Sequence, residues 1–249
     1  MGQQSTLALV GAVGGAGTTR TTVECGATLA RAGLDVAVLD AAFATQGLAD
    51  YVPGRIDPDL TAVVAEEVPL EDALVPVATE LPGSLVAAPA RAPFERVARA
   101  KTAGAADRFE RQVAAASLSH DAVLVDAPPV AANQAVAGVS ACDRVALVAP
   151  DTHRGADGVA RMTGVLEDVG AAVAGTVATF AGDEPVIEEA VARLPETGVT
   201  VPGACPTCVE RDATLGPAVA AAVEALLDVE LEIDADDTGG VGRFLPGGG

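Results

Sequence analysis

Nine residues near the N-terminus, Gly11-Ala-Val-Gly-Gly-Ala-Gly-Thr-Thr19, have the composition of a loop that wraps backbone around phosphate. The run before them, Thr6 to Val10, is short and apolar, as expected of a strand buried on both faces. The stretch from about Arg20 to Ala32 reads as helix. In a strand–glycine turn–helix arrangement the glycines let amide N–H groups approach an anion, and the helix N-terminus adds its partial positive charge. Such a loop also carries a lysine after its last glycine, to reach the outer phosphates. Here that position is Thr18, and the only lysine of the chain is Lys101, in a charged segment expected to be a solvated helix face. The wrapping backbone is present and its charge is missing.

Two carboxylates end apolar runs in the same way: Asp40 closes Val36–Leu39 and Asp126 closes Ala122–Val125. A single C-x-x-C, Cys205-Pro-Thr-Cys208, supplies half of a tetrahedral zinc or iron–sulfur set; it reads more simply as two small buried thiols, and no zinc or cluster is expected there. Cys25 and Cys142 read as core filler, and His120 and His153 are isolated.

The elements needed to position these residues follow from the pattern. Strands are expected at Leu7–Val10, Val36–Leu39, Leu85–Ala88, Ala122–Val125, Arg144–Val148 and Thr176–Thr179. Helices are expected at Thr21–Arg31, Pro93–Ala116, Gly155–Val169, Glu184–Arg193 and Leu215–Leu227. Alternating buried strands and helices imply an α/β architecture of three layers, a mostly parallel twisted sheet with helices on both faces. Ligands in such sheets bind at the carboxyl ends of the strands. The glycine loop, Asp40 and Asp126 all fall at those ends. Residues 1–227 read as one domain, and residues 228–249 as an acidic, then glycine-rich, disordered tail.

Composition narrows the function. The net charge is −20, with 35 acidic residues against 15 basic ones. Such a surface repels polyanions, and phosphate-backbone binding needs a basic patch that is not evident. No apolar run is long enough to span a membrane, no basic amphipathic helix closes the chain, and no signal-peptide pattern opens it; a cytoplasmic location is expected. The charge balance and lysine depletion resemble those of proteins from salt-in halophiles. At molar salt the Debye length falls to about 3 Å, which screens the self-repulsion. Four cysteines in such a chain do not suggest a disulfide framework.

Taken in order, Val13-Gly-Gly-Ala-Gly-Thr-Thr19, Val38-Leu-Asp-Ala-Ala42 and Val123-Leu-Val-Asp-Ala-Pro-Pro129 resemble the ParA/MinD family of P-loop ATPases over roughly residues 6 to 227. The resemblance implies a P-loop nucleoside-triphosphatase fold, ATP or ADP with magnesium as ligand, and dimerisation. It places Gly14, Gly15, Ala16, Gly17, Thr18 and Thr19 around the phosphates. It also makes Thr19 and Asp126 the residues that would hold magnesium, with Asp40 as the first aspartate of an Asp-x-Asp. Asp126, ahead of Pro128 and Pro129, fits a turn cap as well as a metal ligand. The loop itself reads equally as a retained anion site and as a tight connection kept by ancestry.

The departures fall on the charged contacts. The family's signature lysine, which reaches across the dimer, is Val13 here. The general loop lysine is Thr18, the second aspartate is Ala42, and the adenine-reading asparagine corresponds to Thr179. Arg20 follows Thr19 into the helix and is not expected to replace a lysine, since guanidinium and ammonium are not interchangeable. The expectation is therefore a ParA/MinD-like protein with a degenerate nucleotide site. It would be a non-hydrolysing scaffold or regulatory partner in a positioning, partitioning or cell-division type of system, paired with itself or with an active paralogue. An active ATP-binding switch is the first alternative. The second is a metal or iron–sulfur carrier using Cys205 and Cys208, as implied by relatives in cluster assembly that bridge a cluster with a Cys-Pro-x-Cys pair.

Overall fold

A computed structural model describes residues 4–210, 213–232 and 245–246. The chain opens with β1 (Ser5–Gly11), α1 (Thr18–Arg31) and β2 (Asp35–Asp40), then runs through α2 (Leu60–Glu66) and α3 (Leu70–Ala73) to β3 (Val75–Ala78) and β4 (Ser84–Ala88). It continues with α4 (Phe94–Ala100), α5 (Ala103–Ser117), β5 (Ala122–Ala127), α6 (Asn133–Ser140), β6 (Arg144–Pro150), α7 (His153–Asp168), β7 (Val173–Ala181), β8 (Ala192–Pro195) and α8 (Gly216–Leu227). Eight strands form one sheet in the order β3-β4-β2-β5-β1-β6-β7-β8, in which only the β3–β4 pair is antiparallel.

Alternate residues of each strand feed two cores. Leu7, Leu9, Val36, Val38, Leu124 and Val148 pack with α1 and α8 on one face. Ala8, Val10, Leu39, Val123, Val125 and Leu147 pack with α2, α5, α6 and α7 on the other. This is the period-two alternation of a strand with both faces covered, so the central strands show no polar face in sequence.

The helix expected over Pro93–Ala116 is two helices. Thr102 takes an extended conformation between them, and its hydroxyl accepts the Ala105 N–H to start α5. The helix expected over Glu184–Arg193 does not form. There the chain loops around the buried Asp151, whose Oδ1 accepts N–H bonds from Val186 (3.0 Å) and Ile187 (2.8 Å) and whose Oδ2 pairs with Arg193. The loop then delivers β8 to the sheet edge.

The tail expectation falls on two kinds of residue. Asp228 caps α8 in the left-handed conformation, and Val229–Glu230 (β9) pairs antiparallel with Leu245–Pro246 (β10), with Val229 buried. The rest of the tail, residues 233–244 and 247–249, lies outside the described residues. Among the described residues no helix is long and apolar enough to cross a membrane.

Candidate functional site

The loop between β1 and α1 turns at two glycines in the left-handed region, Gly15 (φ 77°) and Gly17 (φ 78°), where a side chain would be strained. Gly17 is the N-cap of α1, and no side chain caps the first turn. The amide donors of that turn are therefore open to a ligand. The loop is tied from behind. Ala12 N–H donates to Val148 O (2.8 Å), and the buried Thr179 hydroxyl on β7 lies 2.7 Å from Ala16 O and 3.1 Å from Ala149 O. Thr179 therefore secures the loop backbone and is not free to read a base in the way the matching asparagine would.

Gly14 to Thr19, Ala42, Thr45, Asp50 and Asp126 line a cleft of about 370 Å³ at the carboxyl edge of the sheet. A second space of about 260 Å³, lined by Phe180, Leu194, Pro195, Val199 and Leu215, adjoins it. Gly17, Arg20 and Tyr51 belong to both. One elongated site results, with an amide-rich end and a more apolar end.

The loop glycines, Thr18, Thr19 and Asp126 thus meet in one cleft. Asp40 stands directly behind it, opposite Asp126 in the β2–β5 register, and is fully buried. Asp40 Oδ1 accepts from Ala42 N (2.7 Å) and Oδ2 from Ala90 N (3.1 Å), so both its oxygens serve the backbone. Asp126 is 1% exposed and its Oδ2 has no hydrogen-bond partner. Burial pushes the pKa of both carboxyls above the usual carboxylate range; the Asp126 charge pushes Asp40 further, and the Thr19 hydroxyl partly offsets the rise at Asp126. A buried carboxylate oxygen with no partner, beside a hydroxyl and lining a cleft, fits a bound cation. Thr19 and Asp126 are the residues that would hold magnesium, and Asp40 is committed to structure.

Val13 is among the residues that line the cleft, but most of its side chain is packed away from it. It is 7% exposed, and its Cγ1 lies 2.5 Å from where a Cβ at Gly158 of α7 would stand. The side chain at the position of the cross-dimer lysine is packed beneath α7. The Thr18 Oγ1 turns back over the loop, 2.8 Å from where a Cβ at Gly11 would be. Lys101 ends α4, where its carbonyl accepts from Asn133.

Glu24 is a residue that sequence reasoning passed over. It is fully buried in α1, where its Oε1 accepts from Thr207 N and Oγ1 (both 3.0 Å) and its Oε2 from Cys208 N (2.8 Å). The only sequence signal was its i,i+4 spacing from Arg20, with which it pairs at 3.5 Å. Glu24 therefore holds the Cys205–Cys208 turn against α1. Cys208 is buried, Cys205 half-buried, and all four thiols are unpaired. Burial pushes each thiol pKa upward, to about 12 for Cys25 and Cys142. Thiolate is the metal-binding form, and no cluster of three or more metal-ligating side chains occurs among the described residues.

No family model and no curated protein matches the sequence. Solved structures do. The septum site-determining protein MinD of Pyrococcus horikoshii, complexed with Mg-ADP, superposes with a TM-score of 0.77 at 19% identity, over 89% of this chain and 95% of that one. The fold is that of MinD. The MinC:MinD cell division complex of Aquifex aeolicus matches at TM-score 0.73 and 21% identity, with the same coverage. Cobyrinic acid a,c-diamide synthase of Mycobacterium smegmatis, with ADP and magnesium, matches at 0.63 and 20%, over 81% of this chain and 90% of that one.

Proposed function

We propose that this chain binds a nucleotide with magnesium, does not hydrolyse it, and acts as a scaffold or regulatory partner in a positioning or cell-division type of system. Its partner would be a second copy of itself or an active MinD-like paralogue. Structures of the fold hold Mg-ADP and include a MinC:MinD complex, which supports both the ligand and the protein-partner role.

The observation that carries the reading is the burial of Val13 under α7, in a cleft whose loop is otherwise intact. Ground-state binding uses what remains: the open amides of α1, the left-handed glycines, and the Thr19–Asp126 pair. A bound magnesium ion would neutralise phosphate charge there. Hydrolysis needs more. Phosphoryl transfer depends on charge placed against the transferred group, and one missing donor costs on the order of 3 kcal/mol of transition-state stabilisation. Neither Val13 nor Thr18 supplies charge, and the buried Ala42 cannot orient a water.

The test is to measure nucleotide binding and phosphate release on the same purified protein in molar KCl. Saturable Mg-ADP binding with phosphate release at the buffer background is expected. Robust magnesium-dependent turnover, or no nucleotide binding at millimolar concentration, overturns the reading.

A further inference from the structure

Among the described residues, Arg20 is the only cation lining either half of the cleft. It stands where the two halves meet. Its Nη1 donates to Val199 O, and its Nε lies 3.5 Å from Glu24 Oε1, an ion pair without hydrogen-bond geometry. Nε and Nη2 are both buried without a hydrogen-bond partner. A guanidinium with two orphaned donors is costly to leave unsatisfied, and an anionic ligand would satisfy them with charge-assisted bonds. The amide-rich end offers backbone donors and, among the described residues, no further side-chain cation. Its charged residues besides Arg20 are Asp50 and Asp126.

We propose that Arg20 is the ligand-binding cation of this site, and that the ligand class it selects is a nucleoside mono- or diphosphate, with no preference for the triphosphate. This rests on the nucleotide-binding reading above and adds the selectivity. A fixed charge at the junction of the two halves pairs with the phosphate nearest the nucleoside. A third phosphate would extend toward Asp50 and Asp126 and meet no side-chain cation there. The protein therefore does not use the presence of a terminal phosphate as its signal, and occupancy rather than hydrolysis is what a partner would read.

The experiment is calorimetric titration of AMP, ADP and ATP, each with magnesium, into the full chain in molar KCl, repeated with Arg20→Gln and Arg20→Lys. For the wild type, ADP and ATP affinities within about threefold of each other are expected, with AMP measurable. Arg20→Gln should weaken ADP at least about tenfold, and Arg20→Lys should fall between the two. ATP binding tenfold or more tighter than ADP overturns the selectivity, and needs no variant that must fold. ADP binding unchanged in Arg20→Gln overturns the role of Arg20 while leaving the nucleotide reading intact. A wild type that binds none of the three overturns that reading itself.

Discussion

Asp40 and Asp126 are register partners in the parallel pair β2–β5, both buried, at the edge of the sheet where the glycine loop turns. Two carboxyls so placed cannot both ionise cheaply, and the described side chains around them bring no cation against the pair. Asp40 holds two backbone N–H groups and Asp126 faces the cleft with one oxygen free. The pair therefore resists full ionisation, and a bound divalent ion would favour it.

That arrangement sets a pH dependence. Both folded-state pKa values are raised, so above the ordinary carboxylate range the folded protein still binds protons that the unfolded chain has released. Stability without magnesium should fall as pH rises from about 4 to about 8, by several kcal/mol, since each pH unit over which the fold alone keeps one such proton is worth about 1.4 kcal/mol. Chemical unfolding at several pH values in molar KCl would measure it. Asp126→Asn should flatten the slope, and magnesium with ADP should offset the loss at the upper end. A slope of the opposite sign would show that the two carboxylates are charged and stabilised in the fold.

The packing of Val13 against Gly158 makes a second expectation. A Cβ at Gly158 would stand 2.5 Å from Val13 Cγ1 and 3.0 Å from the Ala12 carbonyl. Gly158→Ala should destabilise by about 1–3 kcal/mol, as overpacking does. Adding Val13→Ala should recover part of that loss, a coupling that a double-mutant cycle reads directly. Additive effects would mean that the two residues do not meet.

Restoring lysines should separate the two lost positions. Thr18 is half-buried at the start of α1, so Thr18→Lys should fold and should tighten ATP relative to ADP by tenfold or more. Val13→Lys would force an ammonium under α7 and should lower stability by about 3 kcal/mol or more. Thermal unfolding and nucleotide titration of the two variants check both. A stable Val13→Lys protein would mean that the loop readily turns that side chain outward.

The sheet and the phosphate loop were legible because buried parallel strands leave continuous apolar runs, three of which end in the loop, in Asp40 or in Asp126. Other parts were hidden for physical reasons. The edge strand Val75–Ala78 carries Pro76, which the antiparallel edge tolerates but which reads as a break. The loop from Glu184 to Val191 has a helix-like composition but is organised by Asp151, some 35 residues away in the chain. The burial of Val13 depends on Gly158, and no local pattern announces it. Arg20 and Glu24 look in sequence like a solvated i,i+4 pair, yet one lines the cleft and the other is buried.

Glu24 carries the last expectation. Its two oxygens take three donors from Thr207 and Cys208, so the turn bearing the thiols is held by one buried carboxylate. Removing it leaves those backbone N–H groups without acceptors, a cost of about 1–3 kcal/mol for the first alone. In the native protein a thiol reagent at neutral pH should label the half-buried Cys205 ahead of the buried Cys208 and Cys25, since all three thiols are raised by burial and exposure then decides. In Glu24→Ala the labelling of Cys208 should accelerate at least about tenfold relative to Cys142, because local opening of the turn becomes cheaper by more than about 1.4 kcal/mol. Mass mapping of the labelled cysteines over time reads both rates in one experiment. Unchanged Cys208 protection would show that the turn is held by the packing of α1 and α8 rather than by the carboxylate.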